Sequence, residues 1–573
     1  MKGVFVMVDI SIIISIYNVE KYLTECLTSV EKLMNKVDSE LLLIDDGSTD
    51  DSARIAQSFS SKIENCSFFQ LKHKGVSAAR NYGLDRAIGK YIMFVDGDDI
   101  IVPEVYEEML DIANTNELNL VRCNYVNIKN GTVVQSPFGN RAMLNIEKPI
   151  STLEECPNMA YDTPSWNKII RRSVFEDNNI RYPEGVVLNE DAPVMLKTFY
   201  YSGKCATYFK TGYLWRIRTE SGEKSGSATQ NTQEMKSFIG KMKTEDECLC
   251  FCKEKNADEL YNKLLWDFLS FKSHLPGFLL KTNQIDEQEA NQRITHIQSF
   301  LSNHNYSDIM STLPIAIQQM LSCVEVGDID KLVTVANFNS AGIPSCPVVY
   351  GEDNKAEMLV PKELFGVDRT SAKKEFIDKI PTMSITEAEI EGEKLLLHGH
   401  LYMNRVETSK EHPQQVDAFL LNCINNKRID LETKTELTNY LSQLNGLSIY
   451  RWDYSSRKYN YDFNGFCIVI DPLQLLNEET GFYSLHLKYS NDIYSGTTAA
   501  RGTSANTKGV MKKWCVIHNG KQITTWIDRS GIVFISVAKE NKDNKDKNKK
   551  KAKAKTIKSF PIGKKYKIAL VRK

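Results

Sequence analysis

The sequence predicts an α/β chain: a largely parallel sheet covered by helices at the N-terminal end, then a helical stretch, then a β-rich remainder. Three observations carry this. Residues 1–130 alternate short apolar runs with helical spacings, the pattern of strand–helix–strand units. Residues 231–330 hold spacings such as Leu260, Leu264, Leu265 and Phe268, with few strand signals. From about residue 380 the period becomes two, as in Tyr483, Leu485, Leu487 and Tyr489, which is strand-like alternation. We divide the chain at 1–230, 231–335 and 336–573.

The first strand is residues 10–16, an apolar and β-branched run. Leu23, Cys26, Leu27, Val30, Leu33 and Met34 then fall at helical spacing. Residues 41–44 form a second strand, followed by Asp45-Asp46-Gly47-Ser48-Thr49-Asp50. A short third strand covers residues 68–71, a helix residues 76–88, and a fourth strand residues 91–95, which ends at Asp96-Gly97-Asp98-Asp99. In the C-terminal part, Asn519-Gly520 between two strand-like runs marks a hairpin turn.

Composition narrows the class. Of 573 residues, 72 are basic and 73 acidic, for a net charge of −1, with 42% hydrophobic and 25% charged. These are values of a folded soluble chain, and without a global basic excess no nucleic-acid partner is expected. No run approaches the ~18 apolar residues of a spanning helix. The apolar start is broken by Asp9 and reads as a leading strand rather than a signal peptide. The 13 cysteines lack paired spacing, which fits a reducing cytoplasm.

Two acidic clusters follow predicted parallel strands, and ligands of open α/β sheets bind at that edge. In the first, a carboxylate of Asp45 or Asp46 can accept the imide N–H of uracil, while Gly47 permits a sharp turn; a helix-capping turn explains the same residues. In the second, Asp96, Gly97 and Asp98 crowd carboxylates that repel unless a cation is present, and hard oxygen ligands suit Mn2+ or Mg2+; a solvated turn explains the same residues. Arg216 and Arg218 end a predicted strand on one face, before the Ser/Gly-rich residues 221–227. They can clamp a diphosphate; a plain flexible connector explains the same stretch.

Taken together, Ser11-Ile12-Ile13-Ile14-Ser15-Ile16-Tyr17-Asn18, the Asp45–Asp50 cluster, Gly75-Val76-Ser77-Ala78-Ala79-Arg80-Asn81 and Phe94-Val95-Asp96-Gly97-Asp98-Asp99 closely resemble glycosyltransferase family 2. That resemblance covers residues 9–230. It implies a GT-A (Rossmann-like) domain and inverting, metal-dependent transfer from a UDP-sugar. Tyr17 and Asp46 would contact the uracil, and Ser15, where the family usually has proline, would lie beside the base. Arg80 would brace the ribose and the carboxylates or face the diphosphate. Asp96 would reach the ribose, and Asp98 would bind the metal. Asn189-Glu190-Asp191 resembles the family's Glu-Asp pair, with Asp191 as the base and Glu190 supporting it. By spacing alone these acids begin a helix. Trp166-Asn167-Lys168 resembles an acceptor-side segment, in which an exposed Trp166 would stack on a sugar beside Lys168; a core Trp explains the same residue equally well.

The C-terminal part, including Glu391-Gly392-Glu393-Lys394-Leu395-Leu396-Leu397-His398-Gly399, resembles the immunoglobulin-like accessory domains of teichoic acid glycosyltransferases. The domain order is similar to that of wall teichoic acid β-N-acetylglucosaminyltransferases. This implies a β-sandwich tail, a trimeric homo-oligomer, an anionic polymer or glycan acceptor, and N-acetylglucosamine as the sugar. The alternatives are a capsule or exopolysaccharide transferase, a sugar-nucleotide pyrophosphorylase, whose Gly-rich loop is missing, and a glycan-binding scaffold. Residues 539–558 hold ten lysines and three acids. They read as a solvated loop, or as attraction to phosphate polymer or to the inner membrane surface. Cys248, Cys250 and Cys252 lack a second ligand group, and His398 with His400 lacks a third ligand; both sets read as structural.

Overall fold

The computed structural model describes residues 8–134, 141–218, 235–272, 287–341, 346, 348–351, 353, 355–373, 381–403, 406, 408–422, 425, 427–437, 464–502, 514–528 and 531–539. The Ser/Gly-rich residues 221–227, residues 461–463, nearly all of the lysine run (540–558) and residues 566–571 lie outside this set.

The N-terminal sheet starts as expected. Strands β1 (Ile10–Ile16), β2 (Ser39–Asp45), β3 (Cys66–Gln70) and β4 (Tyr91–Asp96) alternate with helices α1 (Glu20–Met34), α2 (Ser52–Ser60) and α3 (Val76–Leu84). They pair in parallel in the order β3-β2-β1-β4. The interior of β1 is all but sealed, Ile10, Ile12, Ile13 and Ile14 having no exposure, because helices cover both faces of a parallel sheet. After β5 (Ile100–Ile101), α4 (Pro103–Thr115), β6 (Leu120–Lys129), β7 (Thr132–Val134) and β8 (Ile150–Ser151) comes β9 (Lys168–Arg171), then α5 (Arg172–Asp177), α6 (Asp191–Ser202) and β10 (Cys205–Arg216). The largely parallel expectation needs correction here. Strand β9 runs antiparallel to both of its neighbours, β4 and β6, so the sheet is mixed. Strands β1 and β4 are adjacent where the strand order reverses, and the crevice at their carboxyl ends is where such sheets bind ligands.

Helices Met235–Glu254, Asp258–Asp267, Glu287–Asn303, Ile315–Val326 and Ile329–Ala341 form the middle region, the last running past residue 335. A small sheet of Val348–Tyr350, Ala356–Leu359 and Arg369–Ser371 follows. The remaining strands form one curled antiparallel sheet, with Ser495–Ala499 pairing to Gly481–Ser490 off the main path of hydrogen-bonded neighbours. The path bends at strand Arg428–Glu436, whose first half pairs with Gln415–Asn422 and whose second half pairs with Gly465–Ile470. The predicted Asn519-Gly520 hairpin is present: both residues have positive φ, 49° and 75°, between strands Cys515–His518 and Lys521–Ile527.

This C-terminal sheet is welded to the first domain. Strand Gly481–Ser490 buries Tyr483, Leu485, Leu487 and Tyr489 on one face, but Ser484 and His486 are buried too, because the other face meets β10. Phe209 packs on His486 with ring centroids 4.5 Å apart. Asp528 accepts hydrogen bonds from the Thr211 amide and hydroxyl at 3.1 and 2.8 Å. Phe419, Leu421, Ile532 and Phe534 join the same apolar core as β1 and β4.

Candidate active site

The turn after β2 builds one wall of the crevice. Asp45 is sealed, and accepts the Ser48 amide at 3.2 Å and Gln70 Nε2 at 3.1 Å. Asp46 accepts the amides of Lys74 and Gly75 at 2.9 and 2.8 Å, and His73 Nδ1 lies 2.9 Å from its carboxylate. Gly47 turns at a φ of +74°, as the sharp turn requires. Both Asp46 oxygens therefore hold the 73–75 segment in place. The half-exposed Tyr17 ring stacks on His73 at 4.3 Å, so a flat π surface stands beside Asp46. His73 carried no sequence signal.

Arg80, on α3, is the hub. Its guanidinium is 4% exposed and reaches Asp191 at 2.5 Å, Glu190 at 3.0 Å and Asp96 at 3.0 Å. Burial opposes its charge, but Asp191 and Asp96 outweigh it and hold Arg80 protonated. Three carboxylates from the end of β4 and the start of α6 thus converge on one cation. Their side chains stay open to solvent, 27% for Asp96, 13% for Glu190 and 18% for Asp191. Burial and then the neighbouring Asp191 push Glu190 up to about 8, against the pull of Arg80. Ser15 is the register partner of Asp96 and its hydroxyl lies 3.4 Å from that carboxylate. The Gly97 amide donates to the Ser15 carbonyl at 3.2 Å, and a Cβ there would lie 3.1 Å from Val19 Cγ2, so only glycine fits that turn without a shift.

Asp98 and Asp99 face the end of β10. Arg218 pairs with the Asp98 carboxylate at 2.7 Å. Arg216 donates to the Asp98 carbonyl at 2.7 Å and pairs with Glu25 at 2.7 Å. Both guanidiniums lie over the Tyr22 ring, at 4.8 and 5.8 Å, so the two arginines do share a face. Asp99 is 1% exposed and accepts from the Tyr213 hydroxyl and the Arg216 amide. Burial, then Asp98, raise it well above the carboxylate range. Burial likewise raises Asp98, with Asp96 adding to it and Arg218 opposing. Tyr22 and Glu25 lie at this site although sequence reading passed over them, and Asp99, part of the strand-end motif, was given no role of its own. Tyr22 and Glu25 sit one helical turn apart, a signal that the arginine face makes legible only afterwards.

The donor set here, carboxylate oxygens short of positive charge, fits Mn2+ or Mg2+. Among the described residues no group of three metal-ligating side chains is preformed at this edge.

Two acceptor-side expectations need correction. Lys168 has no exposure: its ammonium lies 3.0 Å from Asp162 and donates to the Pro164 carbonyl and Asn167 Oδ1 at 2.6 Å. Arg122 pairs with the same Asp162 at 3.3 Å. Trp166 is 5% exposed, stacked on Tyr213 at 4.1 Å with Tyr125 edge-on at 4.8 Å. Both residues are interior because β9 runs between β4 and β6.

Residues 11–178 match the model of glycosyl transferase family 2. The uncharacterized glycosyltransferase EpsJ of Bacillus subtilis is 29% identical over 214 residues, 37% of this chain and 62% of that one. The poly(ribitol-phosphate) beta-N-acetylglucosaminyltransferase TarS of Staphylococcus aureus is 27% identical over 285 residues, 49% of this chain and 48% of that one. Both matches span less than two thirds of the relative. The crystal structure of S. aureus TarS superposes with a TM-score of 0.51 at 17% identity, covering 94% of this chain and 86% of that chain, a likeness of fold. No described helix is long and apolar enough to cross a membrane.

Proposed function

From the premise that residues 11–178 form a glycosyl transferase family 2 domain, we propose that the chain moves a sugar from a UDP donor to a hydroxyl of a cell-envelope polymer, with inversion. The observation that carries this reading is the convergence of Asp96, Glu190 and Asp191 on the buried Arg80. It puts an ionisable, solvent-reachable carboxylate beside the strand-end crevice.

Tyr17 and His73 offer the flat face for the base, and Asp46 keeps that wall in register. Arg216 and Arg218, steadied by Tyr22, receive the charge of the departing diphosphate. Asp191 takes the proton of the acceptor hydroxyl as its oxygen attacks the anomeric carbon, and UDP leaves from the opposite side. Such a base contributes roughly 10²–10⁴-fold. Glu190 and Arg80 position it. A Mn2+ or Mg2+ ion at Asp98 would add positive charge at the leaving group.

N-acetylglucosamine and a teichoic acid are the donor sugar and acceptor we propose, on the strength of the similarity to TarS. A donor-by-acceptor screen read by mass spectrometry, including ribitol- and glycerol-phosphate polymers, tests this. Transfer of N-acetylhexosamine to polyribitol phosphate is expected, with most turnover lost in EDTA. Absence of UDP release with every donor would overturn the enzyme reading. Full turnover in EDTA would overturn the metal.

A further inference from the structure

We propose that His398, Glu436 and Cys467 bind one Zn2+ ion on the outer face of the C-terminal sheet. The three come from adjacent strands. His398, on Lys394–Tyr402, is the register partner of Cys467 on Gly465–Ile470. Cys467 faces Lys434 on Arg428–Glu436, and Glu436, two residues on, shares its face. His398 Nδ1 lies 2.9 Å from Glu436 Oε2, and its Nε2 lies 4.0 Å from Cys467 Sγ. One donor atom from each residue lies within 4.8 Å of the other two. Donors ~2.1 and ~2.3 Å from a tetrahedral zinc ion lie roughly 3.6 Å apart, so side-chain rotations of about an ångström close the set. Among the described residues this is the one such group of three.

The donor chemistry separates this place from the strand-end acids. Imidazole, thiolate and carboxylate together suit zinc, whereas oxygens alone suit Mg2+ or Mn2+. The surroundings favour a cation. Glu436, Glu389 and Glu432 surround the Cys467 sulfur with negative charge against the single cation Lys434, whose ammonium pairs with Glu432 at 3.0 Å. Binding would release the thiol proton to solvent and leave the thiolate on the metal. The ion has a way in, because His398 and Glu436 are 23% and 35% exposed while Cys467 forms the floor. A bound ion would tie the second half of the bent strand to both strands beyond it. Sequence inspection found two histidines without a third ligand. Of these, His400 does not belong to the group, and the missing ligands come from strands 38 and 69 residues from His398.

The test uses the full-length chain stripped of metal and titrated with Co2+ and then Zn2+. A thiolate-to-cobalt charge-transfer band is expected, bleached by one equivalent of Zn2+. Cys467→Ser and His398→Gln should each abolish it. Glu436→Gln should weaken Co2+ binding by at least the roughly 10–100-fold that even an outer-shell partner is worth. Circular dichroism of each variant confirms folding, and if Cys467→Ser does not fold, His398→Gln decides, since it leaves the thiol in place. No band in the wild-type chain, or a band that survives His398→Gln or a folded Cys467→Ser, overturns the proposal.

Discussion

Two arginine-centred charge clusters lie in the first domain, built from the same residue types and put to opposite uses. Around Arg122, two cations share one acid: Asp162 is 1% exposed, and Arg122 and Lys168 not at all. Around Arg80, one cation serves three acids, each 13–27% exposed. The sealed cluster is internally paired and has nothing left to offer a ligand. The open one carries surplus negative charge at a solvent edge, so it calls for protons, a metal ion or a substrate hydroxyl. Charge balance and exposure, rather than residue identity, make the second the place where the proposed chemistry would fall.

Substitutions can break or sharpen that contrast. The largest effect is expected at Asp191→Asn, which keeps size and removes the proton acceptor. Turnover should fall roughly 10²–10⁴-fold with donor affinity little changed, as calorimetry and a UDP-release assay would show; near wild-type turnover would move the base elsewhere. In the sealed cluster, Asp162→Asn should leave Arg122 and Lys168 without their counter-ion. Breaking a buried pair costs about 3–5 kcal/mol, to be read as a drop in urea midpoint.

Lys168→Met comes next. It strands the Pro164 carbonyl and the Asn167 side-chain oxygen, for about 1–3 kcal/mol, while KM for the acceptor stays put. A raised KM with unchanged stability would restore the substrate role first expected of Lys168. The smallest effect is a slope. Folded Glu190 holds its proton up to about 8, against an ordinary 4.5. Between these values the folded state binds more protons than the unfolded one, so this residue makes stability fall as pH rises and then level off. Glu190→Gln should flatten that part of a Tm-against-pH curve, and an unchanged slope would deny the shift.

The sequence was most legible where physics is local. The apolar runs of β1, β2 and β4 and the acids at their ends announced the sheet and its ligand edge, because burial on both faces and strand-end turns leave marks within a few residues. It was least legible where the partner is distant. Nothing near Asp162 says that Arg122, 40 residues away, will face it in a sealed space, since that depends on β9 entering the sheet reversed. Trp166 was ambiguous for the same reason: an aromatic side chain suits a sugar and a core equally well. The C-terminal alternation foretold strands, but not that His486 and Ser484, on the polar-looking face, would be capped by Phe209 and its neighbours. That capping also bears on the division at residue 335, since the core of the first domain includes Phe419 and Phe534.

The bond between Thr211 and Asp528 spans 317 residues of chain. During translation at ~5–20 residues per second, roughly 15–60 s separate the emergence of its two ends. Throughout that interval the nascent N-terminal domain has Phe209 without the C-terminal ring that packs on it, His486.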